Sequence, residues 1–110
     1  MKHFEVRKKD SQTEARIATF KTAHGTFHTP NFMPVGTRAS VKGIDVERLK
    51  EAGADIMLVN TYHLWIRPGM DQIASLGGIH SFAGWDGPIL SDSGGFQVFS
   101  LKGIRKISEE

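Results

Sequence analysis

The sequence predicts an α/β chain in which an antiparallel hairpin leads into strands and helices in alternation, the start of a parallel sheet. Three observations carry that prediction. Residues 15–22, ARIATFKT, alternate apolar and polar side chains with the period of a half-buried strand. Ile56-Met57-Leu58-Val59 shows no alternation, which suits a strand covered on both faces as in a parallel sheet. Between the apolar runs lie segments of helical spacing bounded by capping or glycine residues.

Taken in order, the polar opening MKHFEVRKKD is assigned no element. The alternating run 15–22 follows; Ala23-His24-Gly25 offers a turn, and Thr26-Phe27-His28-Thr29 alternates again, so the two runs form a hairpin. Pro30 and Pro34 interrupt the next stretch, yet Phe32, Met33 and Val35 make a short apolar run ending at Gly36-Thr37, the first buried strand. Asp45 is a natural helix N-cap, Val46, Leu49 and Ala52 recur at helical spacing, and Gly53 stands where a left-handed residue ends a helix. The second buried strand, Ile56-Met57-Leu58-Val59, turns abruptly polar at Asn60-Thr61-Tyr62-His63. Pro68-Gly69 opens a second helix with Met70, Ile73, Ala74 and Leu76 on its core face, closed by Gly77-Gly78. Residues 79–87 are a loop rich in aromatics and glycine, and Pro88-Ile89-Leu90 begins the third strand.

Composition bounds the rest. One small domain is about what 110 residues allow, with a modest core. Apolar residues at 39% and charged residues at 24% exclude a disordered or collagen-like chain. Fourteen Lys and Arg stand against twelve Asp and Glu, so net charge alone does not mark a nucleic-acid binder. The cations do cluster locally, at Arg7-Lys8-Lys9 and at Lys102 with Arg105-Lys106, where contact with phosphate competes with the ordinary reading of such runs as solvated surface. With no cysteine, disulfides and thiolate metal sites are excluded within the chain, and His3, His24, His28 and His80 show no spacing that makes a zinc site. No signal peptide or membrane-length apolar window is present, so a cytoplasmic protein is expected.

Parallel neighbours need a long crossover that packs on a sheet face, so this order fits either a doubly wound sheet or the start of a (β/α)8 barrel. In both, ligands bind beyond the carboxyl ends of the strands. There the sequence gathers Gly36-Thr37, Asn60-Thr61-Tyr62-His63 and, after Leu90-Ser91, the run Asp92-Ser93-Gly94-Gly95-Phe96.

Two residues compete for the chemistry. The tetrapeptide DSGG would make Ser93 a nucleophile, but that reading needs a histidine base and an oxyanion hole. The chymotrypsin-like enzymes that carry DSGG are all-β and disulfide-containing, with glycine before it and proline after; here Ser91 precedes, Phe96 follows and cysteine is absent. A phosphate cradle is no better supported, since neither the dinucleotide fingerprint nor the P-loop lysine is present and Asp92 would repel the anion. A purely structural alternative stands beside both: Gly94-Gly95 make a tight strand-to-helix turn with Asp92 capping it.

The runs FMPVGT (32–37), VKG (41–43), NTYHL (60–64), RPG (67–69) and DSGGFQVFSL (92–101) tip the choice, because together they resemble the N-terminal portion of the tRNA-guanine transglycosylases, or queuine tRNA-ribosyltransferases. The GFQV form and NTYHL are more similar to the bacterial enzymes than to the archaeal ones. The resemblance implies an N-terminal antiparallel segment (1–30) and the first βαβαβ part of a (β/α)8 TIM barrel (31–110), with the rest of the barrel and a zinc site in a C-terminal part not represented here. It implies exchange of guanine at the anticodon wobble position of tRNA for a 7-deazaguanine, preQ1 or queuine, in queuosine biosynthesis by a homodimer. It makes Asp92 the general acid/base, with the nucleophilic aspartate further downstream.

By the same resemblance Phe96 stacks on the extruded purine, Gly94 and Gly95 let the backbone approach its flat ring, and Val35, Leu58 and Asn60 shape the ribose side. Ser93 and Asn60 are expected to orient Asp92. The chain alone is expected not to turn over, and the competing expectation is a non-catalytic remnant that binds tRNA or a partner.

Overall fold

The computed structural model describes residues 3–100; Lys102, Arg105 and Lys106, together with Leu101 at the end of the last motif, lie outside the described residues. Three N-terminal strands, β1 (Phe4–Lys9), β2 (Arg16–Thr22) and β3 (Gly25–Thr29), form an antiparallel sheet in the order β1-β2-β3. The predicted hairpin is β2 and β3. β1 is an addition, because FEVRKK offers two alternating apolar positions and then three consecutive cations, too little for a periodic signal. What makes it a strand is its partner. Phe4 lies opposite Phe20 and Phe20 opposite Phe27, and the three rings cover one face, with centroids 6.1 and 5.2 Å apart.

The remainder runs α1 (Val46–Glu51), β4 (Met57–Asn60), α2 (Thr61–Ile66), α3 (Met70–Ser75), α4 (Ile79–Ala83), β5 (Ile89–Asp92) and α5 (Gly95–Ser100). β4 and β5 pair in parallel, Met57 with Ile89 through Asn60 with Asp92. The predicted first buried strand shrinks to a single parallel bridge, Val35 to Leu58. There Leu58 N donates to Pro34 O at 3.0 Å and Gly36 N to Leu58 O at 2.6 Å. Pro34 has no N–H to give, so the ladder cannot extend backwards through it. β4 is thus flanked by the Val35 segment on one side and β5 on the other.

α1 forms where its cap predicts: the Asp45 carboxylate accepts from Arg48 N at 2.8 Å, and Gly53 follows the helix with φ +90°. α3 forms where the second helix is predicted, but of its expected core face only Ile73 packs on the core; Met70, Ala74 and Leu76 are exposed, because no element among the described residues covers that side. Two helices correct the sequence reading. The polar end of the second strand is α2, with Asn60 Oδ1 accepting from His63 N at 3.1 Å as its N-cap and with Tyr62 and Leu64 buried. The expected loop 79–87 contains α4, whose single turn is too short to show a period and which is held by Ile79, Phe82 and Ala83 packing on the core.

That core consists of Ala39, Leu49, Met57, Val59, Leu64 and Trp85. Met57 is the most enclosed side chain, and the Trp85 indole N–H donates to Pro88 O at 3.0 Å, which satisfies its one polar atom. The hairpin tip reaches this part of the molecule through His24, whose ring stacks on His80 of α4 with centroids 3.5 Å apart.

Candidate active site at the carboxyl ends of the parallel strands

Parallel pairing in register brings the strand ends level. Asn60 and Asp92, the last residues of β4 and β5, are direct partners, and Val35 stands opposite Leu58 on the far side of β4. A cleft of about 220 Å3 opens there. Of the residues singled out from sequence, Val35, Leu58, Asn60 and Asp92 line it, joined by Thr37, Val59, His63 and Gln97.

The hydrogen bonds sort the polar groups. Asp92 Oδ1 accepts from Gly94 N at 3.2 Å, so its carboxylate does cap the turn into α5 while remaining solvent-exposed. Ser93 Oγ accepts from Gly95 N at 3.3 Å and Asn60 Oδ1 from His63 N. Each is committed to a backbone amide, and among the described residues neither hydrogen-bonds to Asp92, contrary to the expectation that they orient it. Nor does any histidine among those residues hydrogen-bond to Ser93 Oγ, which leaves the nucleophilic serine without a base.

The two glycines of the turn differ. Gly94 has φ +74°, and a Cβ there would collide with Cβ of Tyr62 and come within 3.1 Å of Asn60 Oδ1, so close packing inside the protein already requires glycine. At Gly95 an added Cβ would meet only Ser93 Oγ, at an ordinary 3.6 Å. Phe96, in the first turn of α5, is 80% exposed and stands beside the cleft rather than in its wall.

Sequence reasoning missed Gln97, whereas His63 was legible as a strand-end residue of the kind that is more often structural than a base or ligand. Gln97 Oε1 is buried with no hydrogen-bond partner among the described residues. Its position in the first turn of a helix entered from the strand end was the available signal. A larger cavity, about 360 Å3, lies between β4, β5 and the helices α2 to α4. Its walls are almost wholly apolar, Val59, Leu64, Trp65 and Ile73 among them, and Asp92 takes no part. For metal chemistry, no group of three or more His, Asp or Glu side chains among the described residues is placed to hold an ion.

The chain is of the α/β class, with a carboxylate, an amide and a glycine turn together at the ends of its parallel strand pair, where such folds commonly bind ligands. Residues 10–110 match the family model described as queuine tRNA-ribosyltransferase. The chain belongs to that family. It is 61% identical over 103 residues to the queuine tRNA-ribosyltransferase of Enterococcus faecalis, covering 94% of this chain and 27% of that protein. The proteins of the same name from Listeria welshimeri and Ruminiclostridium cellulolyticum are 59% and 58% identical over 97% of this chain. The chain spans 27 to 29% of the length of these relatives.

Proposed function

We propose that this chain supplies, within a tRNA-guanine transglycosylase, the first βαβαβ part of a (β/α)8 barrel and the carboxyl group that moves the proton in base exchange. One observation supports the reading above the others: Asp92, at the carboxyl end of β5, shares a cleft with Asn60 from the end of β4 and Val35 from the segment bridged to the far side of β4. The cleft is flanked by an exposed aromatic ring, Phe96.

Guanine leaves ribose poorly as an anion. In the first step the downstream aspartate forms a bond to the anomeric carbon, the glycosidic bond breaks, and the Asp92 carboxyl delivers its proton to the departing base. In the second step the incoming 7-deazaguanine, preQ1 or queuine, gives a ring proton back to Asp92, attacks the same carbon and releases the aspartate. One carboxyl therefore serves as acid and then as base. Phe96 stacks on the extruded purine, a contact worth about 1–3 kcal/mol per base that offsets part of the cost of unstacking the wobble nucleotide. Val35, Leu58 and Asn60 face the ribose; Ser93, Gly94 and Gly95 form the turn along which the base lies. The working enzyme is a cytoplasmic homodimer, with its zinc in a part of the family pattern outside this sequence.

The test is exchange of labelled guanine into cognate tRNA by the chain alone and by the chain supplemented with the remainder of a relative. Exchange is expected only in the supplemented reaction, with Asp92→Ala reducing it by roughly 10²–10⁴-fold and Ser93→Ala retaining most of it. Parental exchange by Asp92→Ala would overturn the assignment, and equal loss from Ser93→Ala would move the chemistry to the serine.

A further inference from the structure

We infer that Lys8, Lys9 and Arg16, which line one groove at the end of the N-terminal sheet, form a docking site for the phosphate backbone of RNA. The groove measures about 340 Å3 and lies at the β1–β2 end of the N-terminal sheet. The identity of the RNA as tRNA rests on the proposed function; the site itself does not.

Lys9 and Arg16 are direct cross-strand partners. Like charges in that position weaken an antiparallel pair, so the sequence holds an unfavourable contact at this spot. No ion pair among the described residues offsets it: Arg7, Arg48 and Lys50 each pair with an acid, whereas Lys8, Lys9 and Arg16 pair with none. An anion lying between Lys9 and Arg16 converts the repulsion into two attractions.

The second observation is geometric. Successive residues of a strand, here Lys8 and Lys9, point to opposite faces of the sheet. The register shifts between Val6 and Lys8, leaving Arg7 as the extra residue; past it Lys8 stands opposite Ile17 and Lys9 opposite Arg16, so the two lysines flank the end of the sheet from its two faces, and the groove at that end takes in both.

The one carboxylate in the groove is turned to other work. Asp10 Oδ2 accepts from the Thr13 hydroxyl at 2.8 Å and from the amides of Thr13 and Gln12 at 2.9 and 3.2 Å, closing its own loop. Arg16 lies with its guanidinium 5.8 Å from the centroid of the Phe4 ring, which limits the orientations of its long side chain. Ile17, half-exposed, and Pro30 add an apolar ledge that a ribose or base can cover. Three exposed cations beside such a ledge suit a chain of regularly spaced phosphates, which releases counterions on binding, better than a single small anion.

Lysines on an edge strand also deter edge-to-edge aggregation, and that role alone predicts no effect on RNA. The two are separated by measuring fluorescence anisotropy of a labelled tRNA anticodon stem-loop with the full chain across a salt series. The triple variant K8Q/K9Q/R16Q is expected to bind at least tenfold more weakly at 0.1 M salt, with the slope of log affinity against log salt shallower by about 3. The charge-keeping variant K8R/K9R/R16K should retain the parental slope, and Arg48→Gln, which removes one charge outside the groove, should change it little. Circular dichroism melts establish that each variant folds; should K8Q/K9Q/R16Q not fold, Lys8→Gln alone is expected to flatten the slope by about 1. Parental affinity and slope in the folded charge-removing variants would overturn the site. Base exchange in the supplemented reaction tests Asp92 and the salt slope of binding tests the groove, so failure of base exchange and failure of this site give different results.

Discussion

At the scale of single residues, Asp92 is asked to do two things. Its Oδ1 holds the Gly94 amide, and its place on the cleft wall makes it the proton carrier of the proposed reaction. The glycines beside it divide the same roles between them. Gly94→Ala forces a Cβ against Tyr62 from a left-handed backbone, and it should destabilise the chain by about 2–4 kcal/mol in urea unfolding. A loss below about 1 kcal/mol would mean the turn yields easily. Gly95→Ala meets no such obstacle and should leave the melt nearly unchanged, within about 0.5 kcal/mol. In the supplemented exchange assay it should nevertheless slow the reaction, since a methyl group there stands where the base would approach. That Asn60, Asp92 and Ser93 stand at strand ends was legible from the apolar runs that precede them, whereas Val35 and Leu58, inside those runs, were singled out only by the family resemblance. The hydrogen bonds were not legible: that Asn60 and Ser93 serve their own helix and turn depends on backbone angles no residue type announces.

At the scale of elements, caps were read correctly where a strong side-chain signal coincided with periodicity. Asp45 is the clearest case, and Asp45→Ala should lower stability by about 1 kcal/mol, measured as a shift in the urea midpoint with the slope unchanged. No shift would mean that packing of Leu49 alone holds the helix. α2 and α4 escaped because each is a single short turn or two whose helical form is set by burial: Tyr62 and Leu64 in one, Ile79, Phe82 and Ala83 in the other. β1 escaped for the opposite reason. Its cations mask the pattern, and only the open edge of β2, with Phe20 awaiting a partner for its ring, makes it a strand.

At the scale of the whole molecule, the apolar surface is unusually open. Phe32, Trp65, Met70 and Val35 are 79, 60, 68 and 55% exposed, and among the described residues β5 is paired on one side only. Exposed apolar area and a free strand edge both favour association. Sedimentation velocity on the chain should therefore show an average mass that rises with concentration; a single monomeric species across a wide range would contradict this. By itself the sequence determined the α/β order, the hairpin, the capped first helix and the strand-end position of Asp92, because each rests on local periodicity or on one side chain's hydrogen bond to its own backbone. Only tertiary structure decided that Asn60 and Asp92 stand side by side, that Gly94 must be glycine because Tyr62 is behind it, and that Lys8, Lys9 and Arg16 share a groove. Those facts depend on strand register and on contacts between residues far apart in the chain, and a local pattern carries no record of them.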